Sequence, residues 1–464
     1  MNEVTQLGTE RIAKLLFRFS LPAIVGMVVN SLYNIVDRIF IGNNVGPNGI
    51  AGITIGFPIM IILMAMGLLF GVGGATLFSI RLGEGKTAEA EEILGNSFVL
   101  LILAGILFMI LGQIFLSTLL TAFGASEAVL PYSREYMEII FYGAVFQVVG
   151  MGMNNFVRAD GNPKIAMYTM FLAAGLNTVL DALFIIVFGM GMAGAALATI
   201  MAQCVAAIWV VGYFLGPRST NKLRLKYLKL KLPAVVGITS LGIPGFSLQL
   251  ANSLLNVILN KSLLIYGGDL AVSGMGIINS LMTIMLMPVI GIRQGVQPII
   301  GYNYGARKPE RVKTAVKLAS IAATAIVIAG YAVIRLFPEQ LVRLFNNTPE
   351  LVEFTSFALL TWTLCLPIVG FQIIASSYFQ CIGRALMAMF LTLTRQVIFL
   401  IPALLIFPRF WGLTGLLYAA PFADFFAVLL TGIFFYFAMK NLERDLASES
   451  LLANRSGILD ECLP

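Results

Sequence analysis

The chain has 464 residues, 59% hydrophobic and 11% charged, with a formal net charge of +7 and a mean hydropathy of +0.91. A soluble domain carries roughly 25% charged residues, and no water-soluble core of this length could absorb so much apolar surface. A soluble enzyme, a nucleic-acid-binding protein and a disordered scaffold are excluded as whole-chain readings, which leaves a protein that spans a membrane many times.

A helix crosses the hydrocarbon with about 20 apolar residues. Twelve such stretches follow in chain order: 15–41, 51–80, 93–116, 136–158, 165–188, 192–215, 236–265, 272–301, 312–336, 352–380, 387–408 and 412–438. Several are long enough to require tilt or a kink. No cleavable leader is expected, because the first stretch is too long and lacks a small-residue cleavage site.

The basic residues orient the chain. They gather at Arg11, Lys14 and Arg18, at Arg81 and Lys86, at Arg158 and Lys164, and along a central run from Arg218 to Lys231. The pattern continues from Arg307 to Lys317 and ends at Arg384, Lys440, Arg444 and Arg455. These groups hold 22 of the 30 Lys and Arg residues. All fall on one side of the expected spans, so both termini are expected in the cytoplasm. The net charge is then a statement of topology, and no nucleic-acid partner is expected.

Halving the chain at the central basic run reveals a repeat in which position n of the first half answers position n + 222 of the second. Leu21-Pro22 answers Ile243-Pro244, Asn30-Ser31-Leu32 answers Asn252-Ser253-Leu254, and Gly83 and Lys86 answer Gly305 and Lys308. Gly161 answers Gly383 and Ala166-Met167 answers Ala388-Met389; the register then slips by one, where Gly191, Gly194 and Ala198 answer Gly412, Gly415 and Ala419. Six helices per copy give both copies one orientation, as in transporters whose parallel repeats rock about a central cavity. The expected fold is an all-α membrane protein, with twelve transmembrane helices in two pseudo-symmetric six-helix lobes. The boundaries read 1–215 for the first lobe, 216–235 for a basic cytoplasmic connector, 236–440 for the second lobe and 441–464 for a cytoplasmic tail.

Much chemistry is absent. Without histidine there is no Ser-His-Asp or Cys-His nucleophile, no imidazole relay and no His-ligated metal. Cys204, Cys365, Cys381 and Cys462 stand far apart with no C-x-x-C pattern. Gly85-Lys86-Thr87 ends like a phosphate loop, but Ile80 stands where the first glycine is needed. Gly71-Val72-Gly73-Gly74, inside the second stretch, suits close helix contact. No enzymatic reaction and no cofactor are expected.

Ionisable groups inside spans are costly and mark function. Asp37 lies near the outer end of helix 1. Asp181, sixteen residues into helix 5, lies roughly 24 Å from the cytoplasmic side at 1.5 Å per residue. Asn177 shares its helix face, and Thr199 falls in the outer half of helix 6. One level of the first lobe thus gathers two carboxylates, an amide and a hydroxyl. Oxygen ligands suit a hard cation such as Na⁺. Alternatively, two carboxylates close together in low dielectric cannot both stay charged, which makes a proton carrier. At the repeat offset these four become Leu259, Phe399, Ala403 and Ala420, so coupling is expected in the first lobe alone. In the second lobe, Arg395 and Asp424 fall at one depth, roughly 12 Å from the cytoplasmic face, and are expected to pair. Pro22, on the same helix as Asp37, is the expected hinge.

These residues carry a resemblance. Leu21-Pro22 followed by Asn30-Ser31-Leu32-Tyr33-Asn34-Ile35-Val36-Asp37, then Gly161-Asn162-Pro163 and Asn177-Thr178-Val179-Leu180-Asp181, resemble the multidrug and toxic compound extrusion (MATE) family. The resemblance covers residues 11–440 and is nearest to the bacterial DinF-like or MepA-like branch. It implies an antiporter that expels small cationic, hydrophobic compounds in exchange for H⁺ or Na⁺. Its cation site would lie at Asp37, Asn177, Asp181 and Thr199, with helix 1 bending at Pro22. It also implies a substrate cavity, for which Asn30, Tyr33, Asn34, Gln249, Asn252 and Asn256 are the candidates. Other branches place a carboxylate in helix 7; here that helix offers Gln249, Asn252, Asn256 and Asn260 instead. The competing reading is a flippase of lipid-linked precursors or polysaccharide from the same superfamily, which would need a strongly cationic cavity. The intramembrane positives here are few, mainly Arg293 and Arg395. A monomer in the cell membrane is expected, with the lipid bilayer and its substrates as partners.

Overall fold

In hydrocarbon every backbone N–H and C=O must find its partner within the protein, so an apolar chain of this kind folds as helices. The computed structural model describes residues 3–461, without the side chains of residues 3, 4, 34, 47 and 445–461; Cys462 and the side chain of Arg455 lie outside the described residues. Among the described residues all regular structure is helical. In chain order the helices are α1 Glu3–Leu7, α2 Ile12–Asn44, α3 Pro47–Gly83, α4 Thr87–Ala122, α5 Leu130–Tyr142, α6 Ala144–Ala159, α7 Pro163–Asp181 and α8 Gly191–Leu215. Then come α9 Leu232–Gly305, α10 Pro309–Leu336, α11 Pro338–Arg343, α12 Pro349–Trp362, α13 Leu366–Cys381, α14 Ala385–Leu393 and α15 Ile401–Glu461. Among the described residues eight helices are long and apolar enough to cross a bilayer, or ten if each bent pair is one span. The chain is a multi-pass membrane protein, and its outer surface of residues such as Phe17, Val187, Ile208 and Phe410 faces lipid.

Two stretches that read from sequence as single spans are bent. The stretch at 136–158 starts earlier, at Leu130, and turns by 57° at Gly143 between α5 and α6. The stretch at 352–380 turns by 49° between α12 and α13. There Pro367 removes a backbone donor and disfavours helix at the residue before it. Two π-helical turns, Ala182–Val187 and Thr394–Leu400, interrupt other spans. One begins directly after Asp181 and the other contains Arg395, in keeping with the tendency of π turns to mark functional positions.

The repeat is visible in the backbone. Residues in the left-handed region recur at the sequence offset: Gly46 with Gly268, Gly85 with Arg307, Gly161 with Gly383, and Gly191 with Gly412. Arg307, at φ 56°, is the sole non-glycine residue of this kind among the described residues and stands where the first half has a glycine. Gly268 breaks α9 at φ 65° and Gly412 breaks α15 at φ 56°.

The halves meet through glycine. A Cβ at Gly73 would stand 2.1 Å from the Ile238 carbonyl oxygen, and one at Gly242 would stand 1.7 Å from that of Leu69. Gly295 faces Ser20 in the same way, at 2.7 Å. Ser20 is the repeat mate of Gly242, and Gly73 that of Gly295, so two related seams bring α2 and α3 against α9. These contacts are of main-chain atoms, which only small residues permit.

Each half also lends its leading segment to the other. Leu7, Leu15 and Phe19 are buried in the apolar cluster of the second half, while Ala234 and Ile238 belong to a cluster of the first half. Asn303, fully buried, donates to the Leu7 carbonyl at 2.9 Å. Arg311 donates to Leu7 O at 3.0 Å and to Glu10 O at 2.7 Å, and Lys308 to Gly8 O at 2.8 Å. On the first half, buried Asn96 donates to the carbonyls of Tyr227 and Lys229 and accepts from Lys231 N at 2.8 Å. Glu91 accepts from Lys222 N and pairs with Arg224 at 2.7 Å. Asp160 takes hydrogen bonds from Tyr213, Ser219, Asn221 and the Thr220 N–H. Burial pushes its carboxyl above the usual range, and these donors pull it back.

Candidate cation-coupling site

Asn177 and Asp181 are four residues apart on α7 and project from one face. Both are buried, at 2% and 0% exposure, as are Asp37 on α2 and Thr199 on α8 at 8% each. Asn177 Nδ2 donates to Thr199 Oγ1 at 3.4 Å. The carboxyls of Asp37 and Asp181 are close neighbours. The four residues expected at one level therefore occupy one cluster. Arg38, the neighbour of Asp37, lies over the Phe57 ring at 5.7 Å and forms no ion pair with Asp37 among the described residues.

The cluster is short of donors. Asp37 Oδ1, both carboxyl oxygens of Asp181 and Asn177 Oδ1 are buried with no hydrogen-bond partner from a protein donor. Such groups are costly in low dielectric unless a proton or cation meets them. Two carboxyls, an amide oxygen and a hydroxyl form an oxygen-only set suited to a hard monovalent ion or to a shared proton. No group of three or more His, Cys, Asp or Glu is placed to hold a metal among the described residues.

Tyr136 completes the cluster. Its side chain is buried beside Thr199, and its neighbours include Tyr33, Asp37 and Asp181. Sequence reasoning misses it because a fourth span beginning at residue 136 puts this tyrosine at the membrane edge; α5 begins at Leu130 and carries Tyr136 inward.

The candidate cavity residues divide between the halves. Pro22 is buried inside α2, and Asn30 and Tyr33 are half-buried on the same helix. The side chain of Asn34 lies outside the described residues. On α9, Asn252 donates to Gln249 Oε1 at 3.4 Å and accepts from Gln396 at 2.9 Å, and Asn256 donates to the Asn252 carbonyl. Gln396 follows Arg395, whose Nε donates to Asp424 Oδ1. Asp424 is 4% exposed and Arg395 27% in this pair.

Comparison with known proteins shows extensive similarity in sequence and fold. The family model described as MatE matches residues 22–183 and again 244–405, both ends shifted by the repeat offset. The chain is 27% identical over 437 residues to Multidrug export protein MepA of Staphylococcus haemolyticus (strain JCSC1435), covering 94% of this chain and 96% of that protein. It is 27% identical over 432 residues to the protein of the same description from Staphylococcus aureus (strain MSSA476), covering 93% and 95%. The solved structure of the MATE multidrug transporter DinF-BH superposes with a TM-score of 0.88 at 38% identity, covering 94% of this chain and 98% of that one. A MATE structure in the bent conformation superposes with a TM-score of 0.91 at 26% identity, covering 96% and 99%.

Proposed function

The chain belongs to the MATE family of transporters, in its DinF/MepA-like branch, and from that premise we propose that it is a cation-coupled exporter of small cationic, lipophilic compounds. The carrying observation is the donor-poor cluster, with four buried oxygens on Asp37, Asn177 and Asp181 left without a hydrogen-bond donor. A proton or Na⁺ entering from outside would satisfy those oxygens and compete with a cationic compound held by the same carboxyls. The ion changes the balance between outward and inward states only through its different affinity for the two. Competition for one set of oxygens supplies that difference, and Tyr136 would position the Thr199 hydroxyl within the set.

The architecture we propose has twelve spans in two six-helix lobes. The left-handed residues Gly268 and Gly412 support dividing α9 and α15 at those points, since Gly46 and Gly191 occupy the matching turns in the first half. The lobes would be 1–215 and 236–440, joined by the connector 216–235, with 441–464 as the tail. The basic face and both termini would be cytoplasmic. Pro22 would be the hinge of helix 1, and Asn30, Tyr33, Asn34, Gln249, Asn252 and Asn256 would line the path of the compound. The protein would act as a monomer. The descriptions of the MepA relatives as multidrug exporters support this substrate class.

The test is ethidium movement in everted vesicles under separately imposed pH and Na⁺ gradients. One gradient driving accumulation in wild type supports the reading and names the ion. Failure of both gradients overturns it.

A further inference from the structure

On the lipid-facing side of the first half, α4, α6 and α8 leave a groove of about 350 Å³ in which every lining residue is apolar. Phe98 and Ile102 form one wall, Val145 and Val149 another, and Ile208 and Val211 the third. Gly212 is its notch: nothing lies within 4 Å of the place its Cβ would take. In the register that the repeat keeps near its end, the second half has Ile433 instead. The groove uses the start of α4 and the end of α8, so it lies in the half of the membrane nearest the basic face.

The groove ends at Leu215, the last residue of α8. Beyond it the chain supplies cations. Lys222 Nζ donates to the Gly216 carbonyl, which holds an ammonium one residue past the groove's end. Arg218 is exposed, three residues past Leu215 and so at most about 11 Å along the chain. It has no ion pair or hydrogen bond among the described residues. The neighbouring acids are already engaged, Glu91 by Arg224 and Lys222 N and buried Asp160 by Tyr213, Ser219, Thr220 N and Asn221.

We propose that this groove binds one anionic phospholipid of the leaflet on the basic face, with an acyl chain along Gly212 and the phosphate at Lys222 and Arg218. The chemistry selects this occupant. An apolar slot open to hydrocarbon takes a chain, and cations at the water interface on a cytoplasmic-type basic face take an anionic head group. A cationic compound would find no carboxylate and no acceptor side chain in the slot. The site is separate from the Asp37–Asp181 cluster, so it stands whether or not coupling occurs there.

The experiment is native mass spectrometry of the full chain in mild detergent, titrated with phosphatidylglycerol or phosphatidylcholine. Wild type should retain one phosphatidylglycerol more tightly than phosphatidylcholine, and Gly212→Trp, which fills the notch, should lose that lipid. Arg218→Gln replaces an exposed side chain without partners among the described residues and leaves the fold intact; it should weaken the preference for phosphatidylglycerol by about fivefold. Equal retention of the two lipids by wild type, an unchanged preference in Arg218→Gln, or full retention by a correctly folded Gly212→Trp would overturn the proposal.

Discussion

Gly83 and Gly305 face each other's helices across one seam. A Cβ at Gly83 would stand 2.0 Å from the Tyr302 carbonyl oxygen, and one at Gly305 would stand 2.0 Å from that of Ile80. Both pairs obey the repeat, since Gly305 is the mate of Gly83 and Tyr302 that of Ile80. The seam thus lies on the axis that relates the halves. Valine at either glycine should force the helices apart at a cost of about 1–3 kcal/mol. The expected result is greater maleimide labelling of a cysteine at buried Ser79 from the basic face, against the same cysteine in the wild-type background. Unchanged labelling would mean that the contact does not close this face.

Asp37→Asn and Asp181→Asn should each reduce ethidium efflux at least tenfold while leaving membrane insertion normal, because each removes a group that can take up or release the proton or bind the ion. Tyr136→Phe removes one hydroxyl beside Thr199 and should cost only a few-fold. Efflux and membrane abundance measured side by side would check this, and resistance fully retained in both Asn variants would sink the assignment.

The Arg395–Asp424 pair gives a different signature. Removing one partner leaves a buried charge uncompensated, a loss of about 3–5 kcal/mol where burial is deep. Asp424 is the deeper of the two, so Arg395→Met should destabilise more than Asp424→Leu, and the double variant should melt above Arg395→Met. Thermal melting in detergent tests the order. Equal melting of single and double variants would show that the pair contributes nothing.

Asn96 and Asn303 should behave alike although they are not repeat mates. Each holds main-chain groups of a segment leading into the other half's first helix. Leucine at Asn96 leaves the Tyr227 and Lys229 carbonyls without their side-chain donor, whereas leucine at Asn303 leaves Leu7 O held by Arg311 alone and Arg311 Nε without its acceptor, at about 1–3 kcal/mol for each group left unpaired. Both variants should lower the melting temperature, Asn96→Leu more, since it strips two carbonyls and the Lys231 N–H together while Leu7 O keeps Arg311 when Asn303 is lost.

The helices, the repeat and the Asp37–Asn177–Asp181–Thr199 cluster are legible in the sequence because each depends on local rules: apolar length, offset, and depth along a helix. The sharp turn at Gly143 is not, since one glycine in an apolar run gives no directional signal, and Tyr136 is lost with it. The exchange of leading segments is also hidden. A carbonyl at Leu7 held by Asn303 involves main-chain atoms and positions far apart in the chain, and neither leaves a periodic trace in sequence.

That exchange bears on how the protein is made. Leu7 leaves the ribosome 296 residues before Asn303, the group that fixes it. Until the second half is inserted, Leu7, Leu15 and Phe19 have no apolar cluster of their own to enter, and the first half exists as an unfinished intermediate. The last docking step of biosynthesis therefore belongs to some of the earliest residues. Two halves expressed as separate polypeptides would have to find each other before either was complete.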